Sequence, residues 1–284
     1  MDAFVKQLVS VGFTGLDIFD FRVGAITALF GSLERYQQFL RDRGLEKVVG
    51  VFLAPSYLEA RFGAPHIRDT HDALLAHIDG VMRDVEPLQI ETLVVMPAAS
   101  YLYMEPVTDE KLKVMADFWN RAGELTLSYG VRTAAHHEFW CGIRSREEID
   151  AFYAATDPRY VYLCVDTAQH AIAGVDPVDL YRAYADRCCA FHFKDTHDLD
   201  PGGEYRSPPD AELAAATVKR WFWEMGTPEG LVDFEGLMYA LADTGYRGWI
   251  TVEHDKADID GGSYADSTSV AMWYAKNRLS EIYR

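Results

Sequence analysis

Cysteine, long apolar runs and a leader pattern are all scarce in this chain. Only four of its 284 residues are cysteine, and the adjacent pair Cys188 and Cys189 suits neither a disulfide framework nor a cysteine zinc site. No stretch approaches the roughly 18 uninterrupted apolar residues of a membrane-spanning helix. The first residues, MDAFVKQLVSVGF, lack the basic region, apolar segment and cleavage site of a signal peptide. We therefore expect a cytoplasmic protein without a membrane span.

The chain has fewer basic than acidic residues. The chain has 27 Lys and Arg against 44 Asp and Glu, a formal net charge of −17, and its basic residues form no run. Such a charge repels nucleic acids unless a local basic groove offsets it, so we expect no nucleic-acid partner. A linker rich in Ser, Gly or Pro is missing too, and we expect residues 1–284 to form a single domain.

What the chain does contain is a regular alternation of short apolar runs and longer amphipathic stretches, the pattern of parallel strands joined by helices. Each run ends in polar or charged residues. The seven strand candidates are 15–19, 47–53, 90–96, 131–137, 161–166, 189–194 and 249–253. The pattern predicts an α/β protein of the (β/α) barrel, or TIM-barrel, type.

A complete barrel of this type has eight strands, one more than the pattern provides. The chain opens with a helical pattern at 2–11 instead of a strand. Three alternatives remain: the barrel closes with seven strands, a stretch assigned to a loop supplies the eighth, or the first strand is incomplete or atypical. We also expect a long loop-helix insertion at about 195–232, with its helix carrying Trp221, Phe222 and Trp223.

Nitrogen and oxygen donors stand at the carboxyl ends of the last four strands. These donors are His136-His137-Glu138, Asp166, His192 and Glu253-His254-Asp255. Consecutive barrel strands place their carboxyl ends around one mouth, so these side chains can converge on a single cation. Imidazole and carboxylate ligands suit Mn²⁺, which we expect first, and also Co²⁺, Zn²⁺ or Mg²⁺.

Several short motifs surround these donors. They are VDTAQH at 165–170, FHFKD at 191–195, VDF at 232–234 and GYRGW at 245–249, which leads into VEHD at 252–255. In these motifs, and from about Gly12 to its end, the chain resembles the xylose-isomerase-like superfamily of sugar isomerases, epimerases and dehydratases. The resemblance implies a (β/α) barrel with one divalent metal held by Glu, Asp, His and Glu.

Asp166, His192 and Glu253 match three of those metal ligands. Where the superfamily usually has the first glutamate, this chain has His136, with Glu138 two residues later. Side chains two apart on a strand face the same way, so either residue can be the fourth ligand. If His136 binds the metal, Glu138 remains as a base. The histidine-rich strand end resembles inosose dehydratases more than epimerases.

Four further residues are candidate substrate contacts. Gln169 stands where related enzymes often have a histidine, and here the histidine is His170. Lys194 shares its strand face with His192. Trp223 is our choice from the aromatic run at 221–223 as an apolar wall for a carbohydrate ring, because three consecutive helical residues cannot all face inward.

The function that we expect is that of a metal-dependent isomerase or epimerase acting on a keto-sugar or cyclitol. Glu138 and Glu253 serve as bases that remove a proton next to a metal-polarised carbonyl, giving an enediolate. Lys194 is the one obvious cation at the strand ends, so an unphosphorylated substrate is favoured.

The alternative function is that of a lyase of the same superfamily, an inosose dehydratase or a C-glycoside deglycosidase. A repair endonuclease is disfavoured by the charge, and a non-catalytic sugar-binding barrel is the third alternative. The expected partners are a small sugar, cyclitol or glycoside and further copies of the same chain in a homo-oligomer.

Overall fold

A computed structural model of the chain describes residues 1–53, 64–97, 107–204, 220–255 and 263–283. Seven strands form one sheet in chain order, and every neighbouring pair is parallel. The strands are β1 Gly15–Phe19, β2 Lys47–Leu53, β3 Thr92–Val95, β4 Arg132–His136, β5 Val161–Asp166, β6 Cys188–Phe193 and β7 Thr251–Val252. The predicted TIM-barrel class is thereby confirmed, as is every strand position within two residues at either end.

Helices alternate with the strands along the described chain. They are α1 Asp2–Val11, α2 Val23–Phe30, α3 Leu33–Arg41, α4 His71–Val85, α5 Asp109–Ser128, α6 Arg146–Ala155, α7 Thr167–Ile172, α8 Pro177–Tyr184, α9 Phe234–Thr244 and α10 Tyr264–Asn277. None of these helices of the described chain has both the length and the apolar character that crossing a bilayer demands.

Local sequence signals set the ends of these helices. The Ser145 side chain caps α6 and Glu148 reciprocates, which makes the capping box that S-R-E-E predicts. Asp176 accepts hydrogen bonds from Val178 and Asp179 at the start of α8, and Gly245 ends α9 with a φ of 68°, a conformation that glycine adopts without strain. Each connection therefore enters its next strand at a defined point.

The barrel is nearly closed, with a seam between the edge strands β1 and β7. In the part of the chain that the structure describes, no backbone pairing joins the two strands and no eighth strand occurs. One side-chain hydrogen bond crosses the seam, from Thr251 Oγ1 to Asp17 Oδ2 at 2.7 Å. A cavity of about 520 Å³ lies along it, bounded by apolar residues that include Leu16, Ile250 and Met272.

Apolar strand residues make two cores. The larger lies between the sheet and the helices and includes Trp119, Phe152 and Leu241. The smaller fills the barrel interior with compact side chains, such as Ala134 and Cys164, packed against Phe52. These small interior residues leave room at the carboxyl ends of the strands for longer polar side chains.

The helix predicted over Trp221, Phe222 and Trp223 is wrong. Residues 220–232 contain no helix, because Trp223 instead pairs in antiparallel fashion with Asp195. Their backbones exchange two hydrogen bonds, Asp195 N to Trp223 O at 2.8 Å and Trp223 N to Asp195 O at 2.9 Å. This pairing ties the returning segment to the end of β6. Residues 205–219 of the expected insertion lie outside the described residues.

Candidate metal centre and active site

Four side chains meet at the carboxyl ends of β4 to β7. Strand register brings them together, since Asp166 pairs with His192 and β4 ends at His136 beside β5. Glu253 follows β7 directly, and its N–H donates to Phe193 O at 3.1 Å. His136, Asp166, His192 and Glu253 each offer a ligand atom, and these atoms lie within 4.8 Å of one another. We call this set the four-ligand group.

Short polar contacts connect its members. His136 Nε2 lies 3.0 Å from Asp166 Oδ2, and His192 Nδ1 lies 2.8 Å from Glu253 Oε2. Asp166 is fully buried and its other oxygen, Oδ1, accepts a hydrogen bond of 2.9 Å from Gln169 N. Asp166 thus also caps α7, which fixes the direction of its carboxylate.

Lys194 reaches into the same group from the end of β6. Its Nζ lies 3.0 Å from Asp166 Oδ2, 3.0 Å from Glu253 Oε2 and 2.9 Å from Asp255 Oδ2. The backbone of Lys194 is held by Thr167, whose hydroxyl accepts from Lys194 N at 3.0 Å and donates to Lys194 O at 2.6 Å. The ammonium also stands 4.5 Å from the centre of the Phe222 ring.

Electrostatics holds these groups in their charged forms. Burial by itself lowers the pKa of His136, but hydrogen bonds to Asp166 and Glu138 outweigh it and raise the pKa to about 10. Burial lowers the pKa of Lys194 too, and the surrounding carboxylates reverse that effect and hold it well above its usual range. Conversely, burial raises the pKa of Glu253, and Lys194 and His192 bring it well below the ordinary value.

The donor set suits a divalent cation. Two imidazoles and two carboxylates are ligands that Mn²⁺, Zn²⁺ and Co²⁺ accept. Among the described residues, His136 Nδ1 and His192 Nδ1 are buried without a well-aligned hydrogen-bond partner, although carboxylates lie close to both. Buried polar atoms are normally satisfied, so such atoms in a cluster of ligand types fit a cation site.

Of the two candidates for the fourth ligand, His136 is the one that the geometry groups with the other three. Glu138 stands beside it, with Oε1 3.4 Å from His136 Nδ1 and a side chain that is 10% exposed. A carboxylate in this position can orient the imidazole or face a substrate. His137 points away from the group, and its Nδ1 lies 3.3 Å from Ile143 O, as the alternation of strand side chains requires.

Gln169 and His170 lie behind the four-ligand group. Both are buried. Gln169 Oε1 accepts a hydrogen bond from Phe139 N at 3.2 Å, and His170 Nδ1 lies 2.6 Å from Asp166 O. Burial lowers the pKa of His170 to about 4, so this ring is neutral. The contacts of both side chains support the backbone that carries Asp166.

Trp223 and Phe222 lie on opposite sides of an extended segment. The Trp223 ring is stacked on His197, with centroids 4.1 Å apart and an interplanar angle of 8°, and the Arg220 guanidinium carbon lies 3.9 Å from its centroid. Phe222 instead contacts the Lys194 ammonium. In extended backbone, neighbouring side chains alternate, so Phe222 is the aromatic residue of this run that touches the polar cluster.

Phe52 is a second aromatic residue beside the four-ligand group, and the sequence pattern did not identify it. The Phe52 ring meets the His136 ring edge-on, with centroids 5.2 Å apart, and it also packs against Phe19 at 5.4 Å. Phe19 stacks in turn on the exposed ring of Phe21. The available signal was position, since Phe52 is the second-last residue of the apolar run of β2. These rings form an apolar wall beside the four-ligand group.

The residue after Glu253 is anchored by a separate network. His254 Nε2 lies 3.2 Å from Glu224 Oε1, and Glu224 also accepts hydrogen bonds from Ser267 and Arg220. Burial raises the pKa of Glu224, but the hydrogen bonds from His254 and Ser267 outweigh this and lower it to about 2. The network fixes the end of β7 to the first turns of α10.

Comparison with known proteins gives a consistent set of relatives. The family model described as "Xylose isomerase-like TIM barrel" matches residues 5–272. The inosose dehydratase of Lacticaseibacillus casei is 31% identical over 160 residues, 56% of this chain and 52% of that enzyme. The chain thus spans about half the length of that relative. The inosose dehydratase of Lactiplantibacillus plantarum is 26% identical over 280 residues, 98% of this chain and 88% of that enzyme.

Solved structures share the fold at lower identity. The probable 3-DHS dehydratase AsbF from Bacillus anthracis has a TM-score of 0.72 at 15% identity, covering 97% of this chain and 93% of its own. A sugar phosphate isomerase/epimerase from Parabacteroides distasonis has a TM-score of 0.71 at 19% identity, with 97% and 87% covered. The IOLI protein with a bound zinc atom has a TM-score of 0.70 at 15% identity, with 99% and 91% covered.

Proposed function

Since this chain belongs to the xylose isomerase-like TIM barrel family, we propose that it is a divalent-metal-dependent lyase that removes water from an unphosphorylated keto-cyclitol of the inosose type. This proposal places the lyase ahead of the isomerase or epimerase that the sequence alone favours. Two inosose dehydratases that align with 56% and 98% of the chain support that order.

The observation that carries the proposal is the contact between Lys194 and Glu253. The ammonium and the carboxylate lie 3.0 Å apart in one largely buried cluster. Elimination of water needs a base for the proton on carbon and an acid for the departing hydroxyl, whereas two-base epimerisation needs two bases on opposite faces of the carbon. A carboxylate next to an ammonium fits the first requirement.

Glu253 is the base in this scheme. Its depressed pKa keeps it ionised at neutral pH, and its side chain is 22% exposed, so a substrate can approach it. Glu253 takes the proton from the carbon beside the substrate carbonyl, and the electron pair forms the new carbon–carbon double bond as the β-hydroxyl departs.

Lys194 is the acid. Its raised pKa means that it holds its proton until hydroxide begins to leave, and proton transfer to a leaving hydroxide is downhill because water has a pKa of about 15.7. The departing hydroxyl and the Lys194 proton together make one water molecule. Neutral Lys194 then recovers a proton from protonated Glu253, 3.0 Å away, and the site is restored.

His136, Asp166, His192 and Glu253 would hold the divalent cation. The cation supplies Lewis acidity that stabilises negative charge developing on the carbonyl oxygen of the substrate. The aromatic rings of Phe52 and Phe19 line one side of this group. Apolar surface beside charged groups strengthens the electrostatic interactions among them.

We infer a preference for an unphosphorylated substrate because the cationic side chains near the site already pair with carboxylates. Three carboxylates surround Lys194, and Arg220 is paired with Glu224. A phosphate would therefore compete with existing ion pairs against an overall charge of −17. Hydroxyl groups and a neutral ring face no such competition.

An isomerase or epimerase is the second candidate, and Glu138 is the observation that favours it. This residue stands next to His136 and provides a second carboxylate besides Glu253. If both carboxylates reach the same substrate carbon from opposite faces, one can remove the proton and the other can return one.

Incubation of the Mn²⁺-loaded protein with a keto-inositol in D₂O separates the candidates. Loss of one water, read as a mass decrease and as absorbance of a conjugated enone, is the expected result. Deuterium incorporation with rearrangement and no loss of water would favour the epimerase or isomerase instead. Glu253→Gln serves as the inactive control and Glu229→Gln, an exposed glutamate, as the active one. Tenfold preference for the phosphate ester of the substrate would contradict the unphosphorylated class.

A further inference from the structure

We propose that Lys194 is an internal counter-cation that competes with the divalent metal for the four-ligand group and retreats to Asp255 when the metal binds. The inference rests on the metal centre of the proposed function but not on the reaction assigned to it. It concerns how tightly the cation is held and how the chain stays folded without it.

The competition follows from shared atoms. Lys194 Nζ lies 3.0 Å from Asp166 Oδ2 and 3.0 Å from Glu253 Oε2, and both residues belong to the four-ligand group. A metal ligated by these carboxylates would lie about 2.0–2.2 Å from their oxygens. The ammonium occupies the space between the two carboxylates, and at such short range the two positive charges repel strongly.

Asp255 gives the Lys194 ammonium a position to move to when a metal binds. Asp255 Oδ2 lies 2.9 Å from the same ammonium, and Asp255 is outside the four-ligand group. The Asp255 side chain is 39% exposed, against 0% for Asp166. A lysine has a flexible four-carbon stem and three donors, so the ammonium can leave Asp166 while it keeps Asp255 and the Phe222 ring and stays within proton-transfer reach of Glu253.

A counter-cation has a structural role before any metal arrives. Asp166 is fully buried, and a buried carboxylate without a compensating charge strongly destabilises a folded chain. Lys194 supplies a large part of that charge, together with the His136 ring on the same carboxylate. Replacement of Lys194 by an uncharged residue should therefore weaken the chain in the absence of metal and strengthen its attraction for a dication. The two effects have one cause and should appear together.

The experiment measures metal affinity rather than turnover. Isothermal titration calorimetry with Mn²⁺, repeated with Zn²⁺, compares wild type with Lys194→Met after removal of metal by a chelator. We expect Lys194→Met to bind at least tenfold more tightly and to melt at a lower temperature without metal. Lys194→Gln, which keeps hydrogen-bonding atoms but no charge, is the second variant should the methionine variant fail to fold.

Two controls isolate the local charge. Lys194→Arg retains a cation in the cluster and should bind metal no more tightly than wild type. Lys47→Met removes a lysine from the opposite end of the barrel, where it pairs with Glu91 at 3.1 Å. Its metal affinity should match that of wild type, because net charge alone is not the cause.

A double-mutant cycle tests the role of Asp255. Asp255→Asn should weaken metal binding in the wild-type background, because the displaced ammonium loses its remaining carboxylate. In the Lys194→Met background the same change should have little effect, whereas a general loss of negative charge would weaken binding equally in both. Equal weakening would remove Asp255 from the proposal.

Two other outcomes are decisive. In the first, wild type binds a cation while Lys194→Met and Lys194→Gln bind it no more tightly. That result would overturn the counter-cation role of Lys194 and leave the metal centre intact. Failure of wild type and both variants to bind any divalent cation would overturn the metal centre itself, and with it the metal dependence of the proposed lyase.

Discussion

Two neighbouring histidines at the end of β4 lie in opposite electrostatic environments. His136 faces Asp166 and Glu138, and these contacts raise its pKa to about 10. His137, the next residue, is equally buried, and burial lowers its pKa well below the ordinary value. Its ring packs against Phe152 and Tyr153. Adjacent residues at the end of β4 thus include a histidine whose pKa is raised by carboxylates and one whose pKa is lowered by burial.

The difference shows that burial does not decide the charge of a histidine at this barrel mouth. Nearby carboxylates decide it, Asp166 from β5 and Glu138 from just beyond β4, because they offset the cost of desolvation for His136 only. His170 belongs with His137, since their ring centroids are 6.0 Å apart and burial lowers its pKa as well.

Removal of the Asp166 carboxylate from the four-ligand group should have the largest effect. Asp166→Asn keeps a residue that caps helices well, so α7 should still form, but the negative charge at the centre of the four-ligand group is lost. We expect kcat/KM to fall by about 10³-fold, roughly 4 kcal/mol. Asp176→Asn, the same change at the N-cap of α8, is the matched control and should keep full activity. Comparable activity in both variants would place the reaction elsewhere.

Neutralising the base should come next in size. Glu253→Gln preserves volume and hydrogen-bonding atoms, and we expect kcat to fall by about 10²-fold or more while substrate affinity changes little. Steady-state kinetics together with direct binding of the substrate measures both quantities. Near-normal kcat would mean that Glu253 is structural and that another group, with Glu138 the first to examine, is the base.

The free energy of unfolding should depend on pH through His170, whose pKa is lowered by burial. A histidine whose pKa is about 6.5 when unfolded and about 4 when folded binds its proton first in the unfolded state. Its neutral form therefore stabilises the fold above pH 6.5, and that contribution is lost as the pH falls towards 4. For His170 the loss is about 2 kcal/mol between pH 7.5 and pH 5.

His170→Asn isolates this contribution, because asparagine can still donate a hydrogen bond but does not titrate in this range. Urea unfolding of both proteins at several pH values gives the difference in free energy of unfolding. As the pH falls, the free energy of unfolding of wild type should decrease more than that of His170→Asn. Parallel curves for the two proteins would show that folding does not shift the pKa of His170.

The smallest effect is expected on the core side of β4. His137→Phe replaces a neutral ring with an apolar one among Phe152 and Tyr153, and the 3.3 Å contact with Ile143 O is the main loss. We expect a change of about 1 kcal/mol in the free energy of unfolding and activity within about threefold of wild type. His136→Phe should be inactive. Equal loss of activity in both variants would remove the distinction between the two faces.

Local patterning made much of this molecule predictable. The strands were predictable because each is a short apolar run between helical stretches. The polar residues at their ends pointed to Asp166, His192 and Glu253 and left His136 and Glu138 as alternatives for the fourth ligand. The capping box at Ser145 and Glu148 was readable for the same reason, since both partners lie within one turn. These signals depend on neighbours in sequence.

Contacts between distant segments were decided by the tertiary structure alone. Periodicity cannot reveal that the Lys194 ammonium sits between Asp166, Glu253 and Asp255, because the ends of three strands far apart in sequence converge there. The aromatic run at 221–223 is suited to a helix by itself, and its pairing with Asp195 holds it extended and directs Phe222 to the site. Residue types therefore fixed which chemistry was available, and long-range packing fixed which of those residues can act together.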